Sequence, residues 1–201
     1  MILENDKPIK FIGYPESSMV ETALNFVSPE SKNQTDVITP ESFLELTNKS
    51  DYQYLVAFCI DTDLRKIICD EIDNLNLDCI TYVHDTCLVP ETCKLGKGVL
   101  IGAFSSALYA SDIGNHCWIE SYCLIAHHVN MGRCCVLHSG VAIAGKTNIG
   151  ENCIFKFKSS VLSKTTIIDD VTVGAYSNVT KDITKPGRYL GSIARYVPEQ
   201  N

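Results

Sequence analysis

Every sixth residue from Leu95 onward is apolar: Leu95, Ile101, Ala107, Ile113, Ile119, Ile125, Met131, Leu137, Ile143, Ile149, Phe155, Val161, Ile167, Val173 and Val179. The register never slips across that run. Four residues later in each hexad stands a small or β-branched residue, from Val99, Ser105 and Ser111 through Cys117, Cys123 and Val129 to Val171 and Ser177. The position just after the large apolar residue is often Gly or Ala, as at Gly96, Gly102, Gly114, Ala126, Gly132, Ala144, Gly150 and Gly174, which suits a tight turn entry. A period of six fits neither a helix nor a lone alternating strand. It fits short strands joined by regular turns, each hexad sending one large and one small side chain inward. Three hexads make an eighteen-residue coil of a triangular solenoid, and coils stack at a strand spacing of about 4.8 Å, so residues eighteen apart lie over one another. Val83 and Val89 extend the phase backwards, which assigns residues 83–201 to a parallel β-helix with a closing tail.

The same phase accounts for most of the ten cysteines. Cys87, Cys93, Cys117, Cys123, Cys135 and Cys153 fall in the small inward slot and read as core hydrophobes. The chain has no C-x-x-C, and the adjacent Cys134 and Cys135 are poorly placed to turn both sulfurs onto one tetrahedral ion, so no metal is expected. The net charge of -7 argues against nucleic acid or an acidic membrane as partner, and any anionic ligand must be met by local basic residues. The opening MILENDKPIKFIGY has no basic segment followed by an apolar one, and no stretch approaches a membrane span. A cytoplasmic protein is expected.

Before Val83 the hexad pattern is absent and residues 1–82 read as a small α/β unit of Rossmann type. Ile9 to Tyr14 is a strand. Ser17 and Ser18 cap a helix carrying Met19, Val20, Ala23, Leu24 and Val27, and Thr39 with Pro40 opens a shorter one. Tyr54 to Ile60 is a second strand, Thr62 or Asp63 caps a helix with Leu64, Ile67, Ile68, Ile72 and Leu75 on one face, and Cys79 to Val83 is a third strand.

The succession of Ile or Val, then Gly or Ala, two free positions, a small residue and one more free position resembles the hexapeptide-repeat acyltransferases. The resemblance implies a left-handed β-helix, acetyl-CoA as co-substrate, no metal, and a homotrimer with each active site in the cleft between two copies. The two-part layout is similar to one branch of that family, the nucleotide-sugar N-acetyltransferases of cell-surface polysaccharide biosynthesis and relatives that O-acetylate sialic acid. In that branch the N-terminal module helps to hold the nucleotide-linked sugar. Where relatives have a Gly-rich loop with a His, this chain has Gly13-Tyr14-Pro15-Glu16-Ser17-Ser18; Gly13, Ser17 and Ser18 remain candidates for the acceptor, through a helix N-terminus and hydroxyls.

The segment Ile125-Ala126-His127-His128-Val129-Asn130-Met131-Gly132 matches the family's I-x-H-x-x-x-x-G setting, whose His is the general base. The residues agree with that role. His127 occupies a free, outward position of its hexad, and an imidazole titrates in the range needed to take a proton from an amine or hydroxyl. One coil later stands Gly145, whose missing side chain lets a thioester approach and whose N–H can hold its carbonyl oxygen. His128 stands where relatives have an acidic residue that orients the base, leaving Asn130, Glu120 or a neighbouring chain to do that work; His138 is a further candidate for substrate or thioester contact. His116 and His84 read as structural or merely exposed. Lys146, Lys164, Lys181, Lys185 and Arg195 are candidates for the phosphates of the co-substrate, the tail running through Gly191-Ser192-Ile193-Ala194-Arg195. The acceptor reads as the amino group of a nucleotide-linked deoxyamino sugar, with O-acetylation of a sialic-acid-type sugar as the alternative. A carbonic-anhydrase-type metal enzyme and a non-catalytic scaffold are weaker readings, the former because no His spacing matches its ligand set.

Overall fold

The computed structural model describes residues 7–26, 35–59, 61–193 and 195–197. The chain divides into two compact units, one of residues 1–82 with 97–99, the other of residues 83–96 with 100–201.

In the second unit each hexad supplies a two-residue strand that ends on its large apolar residue. A first face is built from Leu100–Ile101, Trp118–Ile119, Val136–Leu137 and Ile154–Phe155. A second carries Ser106–Ala107, Leu124–Ile125, Ala142–Ile143, Ser160–Val161 and Asn178–Val179. A third carries Lys94–Leu95, Asp112–Ile113, Asn130–Met131, Asn148–Ile149 and Thr166–Ile167. Within each face the strands are parallel and in register with the strand one coil away, as Leu124 pairs with Ala142 and Ile125 with Ile143. This unit is a parallel β-solenoid. Both inward positions are buried along its length: Ile119, Leu137, Ile143 and Phe155 at the large position, Cys117, Cys135, Val141 and Cys153 at the small one. On the first face the alternate positions Leu100, Trp118, Val136 and Ile154 are buried too. The last coil is shortened by two residues, Ile167 bridging to Ile183, and Gly187–Leu190 then pairs with Arg195–Val197 in an antiparallel cap over the final edge.

The corners differ from expectation in where the demanding backbone lies. The residue three after the large apolar one takes a positive φ at corner after corner, for example Phe104 (59°), Tyr122 (61°), His128 (55°), Lys146 (63°) and Lys164 (62°), although only glycine adopts that region without cost. The glycines directly after the apolar residue serve another purpose. A Cβ at Gly132 would stand 2.7 Å from the carbonyl carbon of Gly150 in the next coil, so these positions are small because coils approach there, not because a turn bends there.

The first unit is a small helix-containing region around a four-stranded parallel sheet. Its strands are β1 (Ile9–Ile12), β2 (Thr35–Ile38), β3 (Gln53–Val56) and β4 (Asp78–Cys79), in the order β2-β1-β3-β4. Helix α1 (Ser18–Phe26) follows β1, α2 (Pro40–Glu45) follows β2 and α3 (Thr62–Asn74) follows β3. Strand β2 is absent from the sequence reading because it is a half-exposed edge with no hydrophobic run. The cap of α3 is Asp61, which accepts from the Leu64 N–H at 2.9 Å, rather than Thr62 or Asp63; a carboxylate one residue earlier reaches the free N–H better. Thr39 caps α2 with Pro40 in the first turn. Val27 and Ile60, assigned to a helix and a strand from the sequence, lie outside the described residues, as does the side chain of Ser18.

The thiols of Cys87, Cys93, Cys123 and Cys135 are all pushed upward by burial, that of Cys123 to about 12, which fits inert packing groups. Because the core depends on one large residue per hexad, Ile143→Ala is expected to cost about 2–5 kcal/mol. Asp112→Ala, at an exposed position, should stay within about 0.5 kcal/mol of the parent. Urea denaturation of the two variants compares them directly.

Candidate active site

The corner that follows the second face brings together the residues singled out around His127. Coil stacking sets Tyr109, His127 and Gly145 in one column. The rings of Tyr109 and His127 lie nearly parallel, with centroids 5.3 Å apart and planes 15° apart. On the other side a Cβ at Gly145 would stand 2.9 Å from both Cε1 and Nε2 of His127. The imidazole is therefore clamped between an aromatic face and bare backbone, and only glycine at 145 leaves it room. The Lys146 N–H donates to the His127 carbonyl at 3.0 Å, which ties the two coils together beside the ring. The Gly145 N–H has no acceptor among the described residues.

His128 takes the positive-φ corner position and turns its ring edge toward its neighbour. The two Nδ1 atoms are 3.0 Å apart, and Tyr109 meets the His128 ring edge-on at 5.3 Å. One Nδ1 must carry the hydrogen and the other accept it. With the hydrogen on His127, its Nε2, the atom next to Gly145, keeps a lone pair. Tyr109 was missed in the sequence, although stepping one coil back from His127 leads to it.

Further along this corner the cations form a line. His128, Lys146 and Lys164 share one column, and Lys181 continues the column of His127, Gly145 and Ser163 by the same register. Lys146, Lys164, Lys181, Lys185 and Arg195 are exposed and form no ion pair among the described residues. Asn130 lies on the third face with its amide donating to Asn148 Oδ1 at 3.0 Å.

His138 and Glu120 stand elsewhere, on the corner between the first and second faces. Glu120 is bound to His138 and not to His127: His138 Nδ1 lies 3.0 Å from Glu120 Oε1, while Ser139 gives its N–H and its hydroxyl to Oε2, both at 2.8 Å. Burial raises the Glu120 carboxyl, and the hydrogen bonds and charge of His138 together with the Ser139 donors outweigh it, leaving the group below its ordinary value. His116 is buried at a corner, and His84 bonds locally to Thr86.

In the first unit Gly13 is buried and its N–H donates to the Ile38 carbonyl at 2.9 Å. A Cβ there would come within 2.7 Å of the Ala57 oxygen and of Val20, so Gly13 allows α1 to pack on the sheet. Ser17 caps that helix, its hydroxyl accepting from the Val20 N–H at 3.2 Å. Among the described residues no group of three or more His, Cys, Asp or Glu side chains is placed to hold a metal ion, and no helix is long and apolar enough to cross a membrane.

No protein-family model and no curated protein sequence matches the chain. Solved structures do. A variant of perosamine N-acetyltransferase from Caulobacter crescentus, in complex with CoA and GDP-perosamine, superposes with a TM-score of 0.80 at 18% identity, over 97% of this chain and 99% of that one. The acetyltransferase domain of PglB from Neisseria gonorrhoeae in complex with acetyl coenzyme A gives 0.82 at 16% identity, over 96% and 100%. WeeI from Acinetobacter baumannii gives 0.65 at 14% identity, over 93% and 98%. What they share with this chain is the fold.

Two outcomes follow from the geometry. Gly145→Ala should displace the His127 ring, seen as a change in its imidazole NMR resonances, while circular dichroism stays that of the parent. Glu120, with its folded-state pKa depressed, contributes stability that is present above the unfolded carboxylate value of about 4.3 and is lost as pH falls through the folded value. The destabilisation caused by Glu120→Gln should accordingly be largest near neutral pH and shrink in acid, as thermal unfolding across a pH series would record.

Proposed function

We propose that this chain is an acetyl-CoA-dependent N-acetyltransferase that acylates the amino group of a nucleotide-linked deoxyamino sugar. The observation that carries this reading is the clamped His127 ring with the unpartnered Gly145 N–H beside it. The fold it shares with a perosamine N-acetyltransferase solved with CoA and GDP-perosamine, and with an acetyltransferase domain solved with acetyl coenzyme A, supports the same reading. A left-handed coil, a homotrimer, a cytoplasmic location and an N-terminal module that helps to hold the acceptor belong to it.

His127 Nε2 takes a proton from the acceptor nitrogen as that nitrogen bonds to the thioester carbonyl carbon. The Gly145 N–H donates to the carbonyl oxygen as negative charge gathers there. When the carbon–sulfur bond breaks, the thiolate leaves, and the imidazolium returns the proton to it. His128 holds His127 by accepting at Nδ1, and the bond shortens and strengthens once His127 is charged. Lys146, Lys164 and Lys181 supply the cations for the phosphates of the co-substrate, with Lys185 and Arg195 on the tail.

A second reading, O-acetylation of a free sugar acid, is favoured by the charge of the first unit. The segments that follow β1, β2 and β3, residues 13–17, 39–41 and 57–61, bring Glu16, Glu41 and Asp61 and no Lys or Arg, and Tyr14 donates to Glu41 at 3.2 Å. Those segments carry three carboxylates, and the nearby Arg65, whose Nε donates to the Phe58 carbonyl at 2.8 Å, is buried, so a diphosphate there would meet more negative charge than positive.

His127→Ala should lower acetyl transfer by about 100- to 10,000-fold with little change in acetyl-CoA affinity and no loss of fold, and His128→Ala should cost less. Steady-state kinetics across a panel of amino sugars and sialic acids tests both the base and the acceptor. Turnover that survives His127→Ala but not His138→Ala would reassign the base.

A further inference from the structure

The position after each large apolar residue is where neighbouring coils approach most closely, and it is commonly Gly or Ala. On the corner between the first and second faces that rule fails in three consecutive coils, at Glu120, His138 and Lys156. The three are vertical neighbours, and glycines bound them at both ends, Gly102 below and Gly174 above. Elsewhere the position also takes Leu108, Leu162 and Ile168, but only on this corner do three ionisable side chains follow one another in it.

They are joined end to end. Ser139 grips Glu120 through two donors, which leaves its other oxygen for His138 Nδ1 at 3.0 Å. With Nδ1 donating, Nε2 is the acceptor, and Lys156 Nζ lies 3.3 Å from it. The imidazole spaces the ammonium from the carboxylate, so Lys156 is aligned without being neutralised. One of its three N–H groups is engaged, and it has no carboxylate partner among the described residues. A second ammonium stands two residues on, Lys158, lying over the Phe157 ring at 5.2 Å and likewise without an ion pair. The same corner exposes the stacked rings of Phe104 and Tyr122, 57% and 65% accessible with centroids 5.2 Å apart, an apolar platform beside a polar column.

We propose that Lys156, aligned by Glu120 and His138 and assisted by Lys158, is the oxyanion-binding donor for the acceptor sugar, taking the carboxylate of a sugar acid or the phosphate of a nucleotide-linked sugar. That the anion belongs to the acceptor rests on the transferase reading; the binding site itself does not. His138 and Gly145 lie on one coil at the two ends of the second face, about one strand and two turns apart. An acceptor anchored at this corner would extend along that face. Glu120 and His138 are positioning residues here, and Lys156 makes the contact.

The test is an NMR titration of the full chain with glucuronate, with uridine diphosphate and with glucose as the neutral control. It follows the His138 imidazole resonances, assigned by their loss in His138→Gln. A saturable shift is expected with at least one of the anions and not with glucose. Its apparent Kd should weaken at least about tenfold in Lys156→Met, the size expected for one charge-assisted hydrogen bond, and recover to within about threefold in Lys156→Arg. The anion that saturates at the lower concentration distinguishes a carboxylate from a phosphate source. No saturable response to either anion, an equal response to glucose, or an affinity unchanged in Lys156→Met overturns the proposal. Acetyl-CoA binding measured on the same samples separates the two ideas. A chain that transfers acetyl groups but fails the titration loses this inference alone, and one that holds the anion through Lys156 but binds no acetyl-CoA loses the transferase reading alone.

Discussion

The interaction on which everything else depends is the in-register pairing of each strand with the strand eighteen residues later. Because Leu124 pairs with Ala142 and Asn130 with Asn148, every side chain has the residue one coil away as its neighbour, on the same face or corner. Two consequences follow from that single constraint. The large inward positions must be apolar, since a polar side chain there would itself lack a hydrogen-bond partner in a dry core, whereas the small slot admits Ser105 and Ser111 because their hydroxyls donate to the Glu120 and Ala126 carbonyls at 2.9 and 2.8 Å. Outward positions become columns in which chemistry is assembled by repetition, as Tyr109, His127 and Gly145 are on one corner and Glu120, His138 and Lys156 on another.

The two histidine columns differ in how the protein would use an imidazole. His127 is held mechanically, by a ring on one face and backbone on the other, with a second imidazole as its polar partner in the ring plane among the described residues. His138 is held electrostatically, between a fixed carboxylate and an ammonium. That arrangement settles its tautomer but occupies its second nitrogen, which suits a relay of position better than a base. The sequence reading offered Glu120 as an orienter of His127; the coil register instead carries it to His138, because Glu120 and His138 are eighteen residues apart and Glu120 and His127 are seven.

The corners show how such a solenoid tolerates strain. Non-glycine residues at positive φ cost about 1–3 kcal/mol each, and this chain places Phe, Tyr, His, Lys and Asp there. The backbone hydrogen bonds between coils at the same corners, such as Tyr122 N–H to the Ala103 carbonyl at 2.9 Å and His128 N–H to the Tyr109 carbonyl at 3.1 Å, supply the compensation. On the corners that follow the first and second faces a residue at that position is exposed, as Phe104, Tyr122, Lys146, Lys158 and Lys164 are, whereas His116, Cys134 and Asn152 at the same position of the third corner are buried.

The sequence by itself determined the period, the inward residues, the burial of Cys93, Cys117, Cys123, Cys135 and Cys153 (Cys87, in the same phase, is only half-buried) and the stacking of Gly145 on His127, because a strict repeat converts residue number into position without any knowledge of distant contacts. It also placed the helix start at Thr39 and Pro40, where capping is local. Tertiary structure decided what depends on partners outside the local window. Strand β2 exists because β1 offers it a hydrogen-bonding edge, not because Thr35–Ile38 is strongly hydrophobic. Gly13 is a packing contact because Val20 and Ala57 close on it. The partners of Glu120, His138 and Lys156 appear only when three coils are laid one on another, since hydrogen bonds between side chains depend on rotamers and on burial that a linear pattern does not carry.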